Sequence, residues 1–323
     1  MKKYIEEVAN SLYINYQHVD SYGLLNGKMG IAIFFYEYSL YRKDESYNIF
    51  ADYILDEVLD TVKESTVLYD LHDGISGVAW GIQYLISKKF VEGDPDDVLS
   101  DFDKKIQTYI DQLNTCNIDD AANHFCSNAD ALLSVDFYLL FRYADRNLDV
   151  DNLNIILSFY NKILNTEKKF YISFLNSILA FLYRLRDIDL CKAHCANVHD
   201  EVLDALKKSA QLKLYNKEDL ILLFKLLSLF EDKKGTRSFT EIFDQSDIGL
   251  LGDNFDIRTL VKQTWQELVY FNEFNSGISE TIQNIQKYIE EKISNIELKN
   301  ITLNAGLAGL GLGLINSSKR TSF

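Results

Sequence analysis

Residues 71–85 read LHDGISGVAWGIQYL. Gly74 and Gly77 sit three apart at the head of an apolar, helix-like run, and Gly81 follows inside it. A glycine costs a helix interior about 1 kcal/mol relative to alanine, so three of them need a reason. The chain repeats the device. Residues 24–40 read LLNGKMGIAIFFYEYSL and residues 303–317 read LNAGLAGLGLGLINS. Ten of the fifteen glycines fall in these three places: Gly23, Gly27 and Gly30; Gly74, Gly77 and Gly81; Gly306, Gly309, Gly311 and Gly313.

Gly74 follows Gly27 by 47 residues, a period that fits one helical hairpin. Degenerate copies follow at similar intervals. FCSNADALLSVDFYLLFRY begins at residue 125, with Asn128 and Ala131 at the glycine positions. YISFLNSILAFLYRL begins at 171 and KLYNKEDLILLFKLLSLF at 213. A longer interval then precedes the copy at 306. Charged amphipathic stretches at 3–16, 47–65, 99–114, 153–165 and 278–296 space their apolar residues three and four apart and supply the other helix of each pair. Pro95 is the single proline and lies in EGDPDD, read as a turn. The reading is one all-α domain over 1–323. It is a closed (α/α)6 barrel of six hairpins, apolar helices inside and charged helices outside.

The glycines have two structural uses: turns with positive φ, and close approach of backbones at crowded helix starts. In a ring, inner-helix N-termini converge on one mouth and offer first-turn N–H groups to ligands. A phosphate cradle needs G-x-x-x-x-G-K-[ST] after a strand, which is absent. The mouth would be formed by Asn26, Lys28, His72, Asp73, Ser76, His124 and Asn304. Gly27, Gly30, Gly74, Gly77, Gly306 and Gly309 would shape it.

The formal net charge is −15. An acidic surface argues against nucleic acid and anionic membrane as partners. No apolar run reaches membrane-span length, no signal peptide is read at the N-terminus, and four cysteines do not form a disulfide framework. The expected compartment is the cytoplasm.

The three glycine motifs together resemble those of the lanthionine synthetase C-like (LanC-like) family. The resemblance implies an (α/α)6 barrel whose inner helices start with G-x-x-G. It implies ribosomal-peptide modification, in which cysteine thiols of a precursor peptide add to dehydroalanine or dehydrobutyrine. In the family a zinc ion stabilises the attacking thiolate. Its ligands come from Trp-Cys-x-Gly and Cys-His-Gly motifs, with a His-Gly motif nearby. This chain departs from that pattern. Trp80 is followed by Gly81 and Trp265 by Gln266; no Cys-His-Gly occurs; His72 stands in His-Asp-Gly. The zinc ligands carry over to no position here. The expected protein is therefore a zinc-less peptide-binding or accessory subunit beside a modifying enzyme, with no cofactor.

Two alternatives remain open. One is an active thioether cyclase with a relocated metal, drawing on Cys191, Cys195, His194 and His199, or on His124 and Cys126 with Cys116. The other is a carbohydrate-active (α/α)6 hydrolase using acidic residues near the mouth: Asp70, Asp73, Asp119, Asp120 or Asp130. His72, Asp73 and His124 are the candidate catalytic side chains in either case. Against these stand the commoner roles: cysteine as a small core residue, and aspartate as a helix cap.

Overall fold

The structure is a computed structural model that describes residues 1–64, 68–115, 132–143, 150–166, 169–186, 188, 191–230, 242–243, 257–271, 282–294, 301–304 and 306–320. Every regular element among them is a helix. No helix is long and apolar enough to cross a membrane. The described residues belong to two compact units.

The first unit comprises Met1–Ile106, Asp130–Arg142 and Phe255–Phe323. Its helices are α1 (Lys2–Asn15), α2 (Lys28–Arg42), α3 (Ser46–Glu64), α4 (Ile75–Ser87), the one-turn α5 (Pro95–Val98), the first part of α6 (Ser100–Thr115) and α7 (132–142). With the numbers α8–α11 given to the second unit, it continues with α12 (Ile257–Phe271), α13 (Ile282–Ser294) and α14 (Leu307–Arg320). The EGDPDD stretch is more than the expected turn. Pro95 opens α5, where its missing N–H costs nothing, and Asp94 caps the helix by accepting from the Asp96 amide.

Helices that follow a glycine turn are buried all round. α2 is buried from Met29 through Ser39, and α4 from Ile75 through Ile82. The preceding charged helices bury one stripe; in α1 it is Tyr4, Ile5, Val8, Ala9 and Leu12. This is the division into apolar and amphipathic helices that the sequence predicts. α2 packs on α3 through Phe35, Phe50 and Tyr47, and Tyr36 donates its hydroxyl to Asp52. α14 packs against α1, α2 and α12, so the last helix of the chain lies beside the first two. Gly311 of α14 faces the Phe34 ring, with room for no side chain.

α12 has no counterpart in the sequence reading. It lies in the long interval before the last glycine copy and packs beside α14, with Val261 against Gly309. α7 joins this unit by ring contacts: Phe141 against Trp80 of α4, and Phe137 stacked on Tyr270 of α12.

The second unit comprises Gln107–Ala129 and Tyr143–Asn254. It contains α8 (Val150–Leu164), α9 (Ile172–Leu185), α10 (Lys192–Gln211) and α11 (Lys217–Phe230). α8 packs on α10, and α9 on both α10 and α11. α9 and α11 begin where the degenerate copies at 171 and 213 place apolar helices. Asn176 donates to the Asp219 carbonyl and Ser209 to that of Phe170, so buried side chains tie these hairpins together.

Three tyrosines of the first unit give the fold a pH signature. Tyr36, Tyr38 and Tyr84 are almost completely buried, and burial raises each phenol's pKa above the ordinary value. Asp52 beside Tyr36 and Glu37 beside Tyr84 raise them further. Below about pH 10 folded and unfolded chains hold these protons alike. Above it the unfolded chain loses them first, so stability falls as pH rises, by up to about 1.4 kcal/mol per pH unit per phenol. Urea midpoints from pH 8 to pH 11.5 should decline from about pH 10, less steeply in Tyr36→Phe. A flat profile would contradict the burial.

Candidate functional site

The glycine turns lie side by side in the first unit. The Leu24 and Leu25 amides donate to the Leu71 carbonyl at 3.1 and 3.2 Å, and the Asn26 amide to that of His72 at 3.0 Å. The Asn304 amide donates to the Leu25 carbonyl at 2.9 Å. Each turn thus donates to the carbonyls of the next, in the order 304, 25, 71. The second unit repeats the relation once: the Ile172 amide donates to the Leu214 carbonyl at 3.0 Å.

Close approach, and not positive φ, is what the glycines supply. Gly27 and Gly74 are N-caps with φ of −127° and −104°, which any residue adopts. A Cβ on Gly30 would lie 2.3 Å from the Leu24 carbonyl oxygen and 2.9 Å from Leu303 Cβ. On Gly77 it would lie 2.4 Å from the Leu71 carbonyl oxygen and 3.0 Å from Leu24 Cβ. On Gly309 the corresponding neighbours are the Leu303 carbonyl oxygen at 2.3 Å and Val261 Cγ1 at 2.9 Å. The second glycine of each motif therefore touches its own turn and the neighbouring element.

The first-turn amides that the sequence expects to be open are partly taken. The amides of Lys28 and Met29 donate to the carbonyls of Ser21 and Tyr22, that of Ile75 to Leu68, and that of Ala308 to Ile301. In every case the acceptor lies seven residues earlier. The loop before the helix folds back and occupies the amides that a bound anion would use.

Among the expected mouth residues, three side chains come together. Asp73 accepts from Ser21 Oγ at 2.6 Å and from Asn26 Nδ2 at 3.2 Å; Asn304 Nδ2 reaches Asn26 Oδ1 at 3.5 Å. Asp73 is not a helix cap. It clamps the first turn to the second, while Asp70 accepts from the Asp73 amide at 2.7 Å. His72 is half-buried beside this clamp, and its ring makes no hydrogen bond to a described residue. Lys28 is directed elsewhere, pairing with Glu57 at 2.7 Å and lying over the Tyr16 ring. Ser76 corrects the expected surface set: it is completely buried on α4, and its hydroxyl offers no surface contact. Ser21 and Ser134 belong to the arrangement without having been expected; Ser134 Oγ accepts from the Leu71 amide at 2.7 Å. His124, Cys116, Cys126, Asp119, Asp120 and Asp130 lie outside the described residues.

The helical cysteine pair does not suit a metal. Cys191 and Cys195 are buried, and burial raises both thiols, Cys195 to about 12. The pair lies on the inward stripe of α10 with Val198 and Val202, as core residues do. Among the described residues no three His, Cys, Asp or Glu side chains gather as a metal site requires. The described helices at 172 and 217 carry no cysteine or histidine either, so these residues do not fit the zinc centre that the resemblance implies.

Comparison with protein-family models, with curated proteins and with solved structures finds no match. What stands is an all-helical protein whose glycine turns are hydrogen-bonded to one another.

Proposed function

We propose that this chain is a degenerate LanC-like protein that binds a peptide through its glycine turns and supplies no zinc chemistry. The finer fold in this reading is the (α/α)6 ring of hairpins, and its partners are a precursor peptide and a modifying enzyme. One observation supports it above others. Three separated G-x-x-G turns are bonded edge to edge, and they carry Asn26, Asp73 and Asn304 in one hydrogen-bonded row with His72 beside it. Such a row offers donors and acceptors on a rigid backbone, which suits a peptide main chain. A metal relocated to α10 would need three ligands gathered there, and among the described residues no such group occurs.

A random-peptide display selection on the full chain tests this, with counter-selection against His72→Ala combined with Asn304→Ala. Asp73 is left intact because it holds the turns. Selected peptides should lose about tenfold or more in affinity, about 1.4 kcal/mol, in the double variant, with an unchanged urea midpoint. Binders that ignore both substitutions would place the function elsewhere.

A further inference from the structure

The outward side of α1 and α3 is unusual for an acidic protein. Four large apolar side chains there are more than half exposed: Tyr13, Ile14, Ile49 and Tyr53. Single exposed hydrophobics need no explanation, but here the two helices meet through aromatic rings. Tyr13 and Tyr16 both contact the Phe50 ring, with centroids 4.5 and 5.0 Å away. Phe50 sits between Ile49 and Tyr53 in sequence.

An acidic ridge runs beside the apolar one. Ile49 and Tyr53 are four residues apart on α3, and so are Asp52, Asp56 and Asp60, all three exposed. Like charges at that spacing destabilise a helix by a few tenths of a kcal/mol per pair. Among the described residues Lys63 pairs with Asp60 and Lys28 with Glu57, while no salt bridge reaches Asp52 or Asp56. The helix thus keeps a row of acidic charge, with Asp60 paired to Lys63 and Asp52 accepting from the Tyr36 hydroxyl, next to an exposed apolar row.

We propose that this face of α1 and α3 docks a basic amphipathic helix of a partner protein. The apolar stripe of that helix would cover Tyr13, Ile49 and Tyr53, and its lysines or arginines would face Asp52, Asp56 and Asp60. The two ridges step along α3 at i, i+4, the spacing that an opposed helix presents. The charge complementarity selects a cationic occupant and disfavours both an anionic membrane and an acidic peptide. This proposal is independent of the glycine turns, and its test uses none of their side chains.

The probe is a labelled peptide of about 18 residues, long enough to present several helical turns, with leucine on one face and lysine on the other. Its controls are the same peptide with glutamate for lysine, and a scrambled order that destroys the stripe. Fluorescence anisotropy with the full chain is read at low and high salt. The leucine–lysine peptide should bind and both controls should not. Asp56→Lys with Asp60→Lys should weaken it about tenfold or more, as should Ile49→Ser with Tyr53→Ser, with circular dichroism and urea midpoint unchanged. Reversing exposed acids on α5 and α6, Asp97→Lys with Asp101→Lys, should change affinity less than about twofold. Equal loss from that pair, or no loss from Ile49→Ser with Tyr53→Ser, would overturn the proposal. So would a dimer of this chain that Ile49→Ser dissociates, since the occupant would then be a second copy.

Discussion

Gly77→Ala is expected to destabilise the protein by about 3 kcal/mol or more, whereas Gly81→Ala, one turn later on the same helix, is expected to cost clearly less, about 1 kcal/mol. Helix propensity alone predicts a gain of about 1 kcal/mol at both positions. The surroundings decide otherwise at Gly77. Its new Cβ would meet the Leu71 carbonyl oxygen at 2.4 Å and the Leu24 amide nitrogen at 3.0 Å. These two atoms are partners in the hydrogen bond that joins the first turn to the second. Backbone must move, and the bond that links the turns is the one strained. At Gly81 the close atoms are Met29 Cε at 2.5 Å and Cγ at 2.6 Å, in a completely buried thioether side chain whose repacking costs less than moving backbone. Gly30→Ala and Gly309→Ala should behave like Gly77→Ala, because each meets its own turn's carbonyl oxygen at 2.3 Å. Urea unfolding of the Gly77→Ala and Gly81→Ala variants measures the contrast. Equal effects at the two positions would contradict the close-approach role.

The second large effect lies in the same unit. Glu37 of α2 is 7% exposed, accepts from the Tyr84 hydroxyl at 2.7 Å, and accepts from Lys319 Nζ at 2.9 Å. One carboxylate thus ties α4 and α14 to α2. Glu37→Ala leaves a buried hydroxyl without its acceptor and opens a cavity, an expected loss of about 3 kcal/mol. Glu37→Gln keeps an acceptor for Tyr84 and gives up the ion pair, and should cost about 1 kcal/mol. Lys319→Ala should cost no more than that, because the lysine is 43% exposed and solvent screens its share. Urea midpoints order the three variants. A Glu37→Ala midpoint within error of wild type would show that the carboxylate holds nothing together.

The sequence is most legible where a local rule fixes the outcome. Every periodic amphipathic stretch it offers is helical wherever the residues are described, and the glycine copies mark the starts of α2, α4 and α14. The degenerate copies at 171 and 213 still precede α9 and α11, because apolar content survives the loss of the glycines. α12 escaped the repeat count although Ile257, Val261 and Trp265 follow helical spacing and the sequence carries a G-x-x-G pair, Gly249 and Gly252, ahead of it.

The site was less legible, since its bonds join residues far apart in the chain. Asp73 reads locally as a cap, yet its partners Ser21 and Asn26 are 52 and 47 residues away. Lys28 reads as a mouth cation, yet Glu57 on the next helix takes it. The amides of Lys28, Met29, Ile75 and Ala308 read as open because the loop that folds back on them carries no cap motif; its carbonyls accept from them.

The most direct test of a zinc-less binding role is the metal content of the full chain, purified without a histidine tag or chelator and measured by elemental mass spectrometry after gel filtration. Well under one zinc per folded chain is the predicted result. Close to one equivalent, retained through the column and lost in Cys126→Ser or Cys191→Ser, would contradict it and mark a catalytic metal centre.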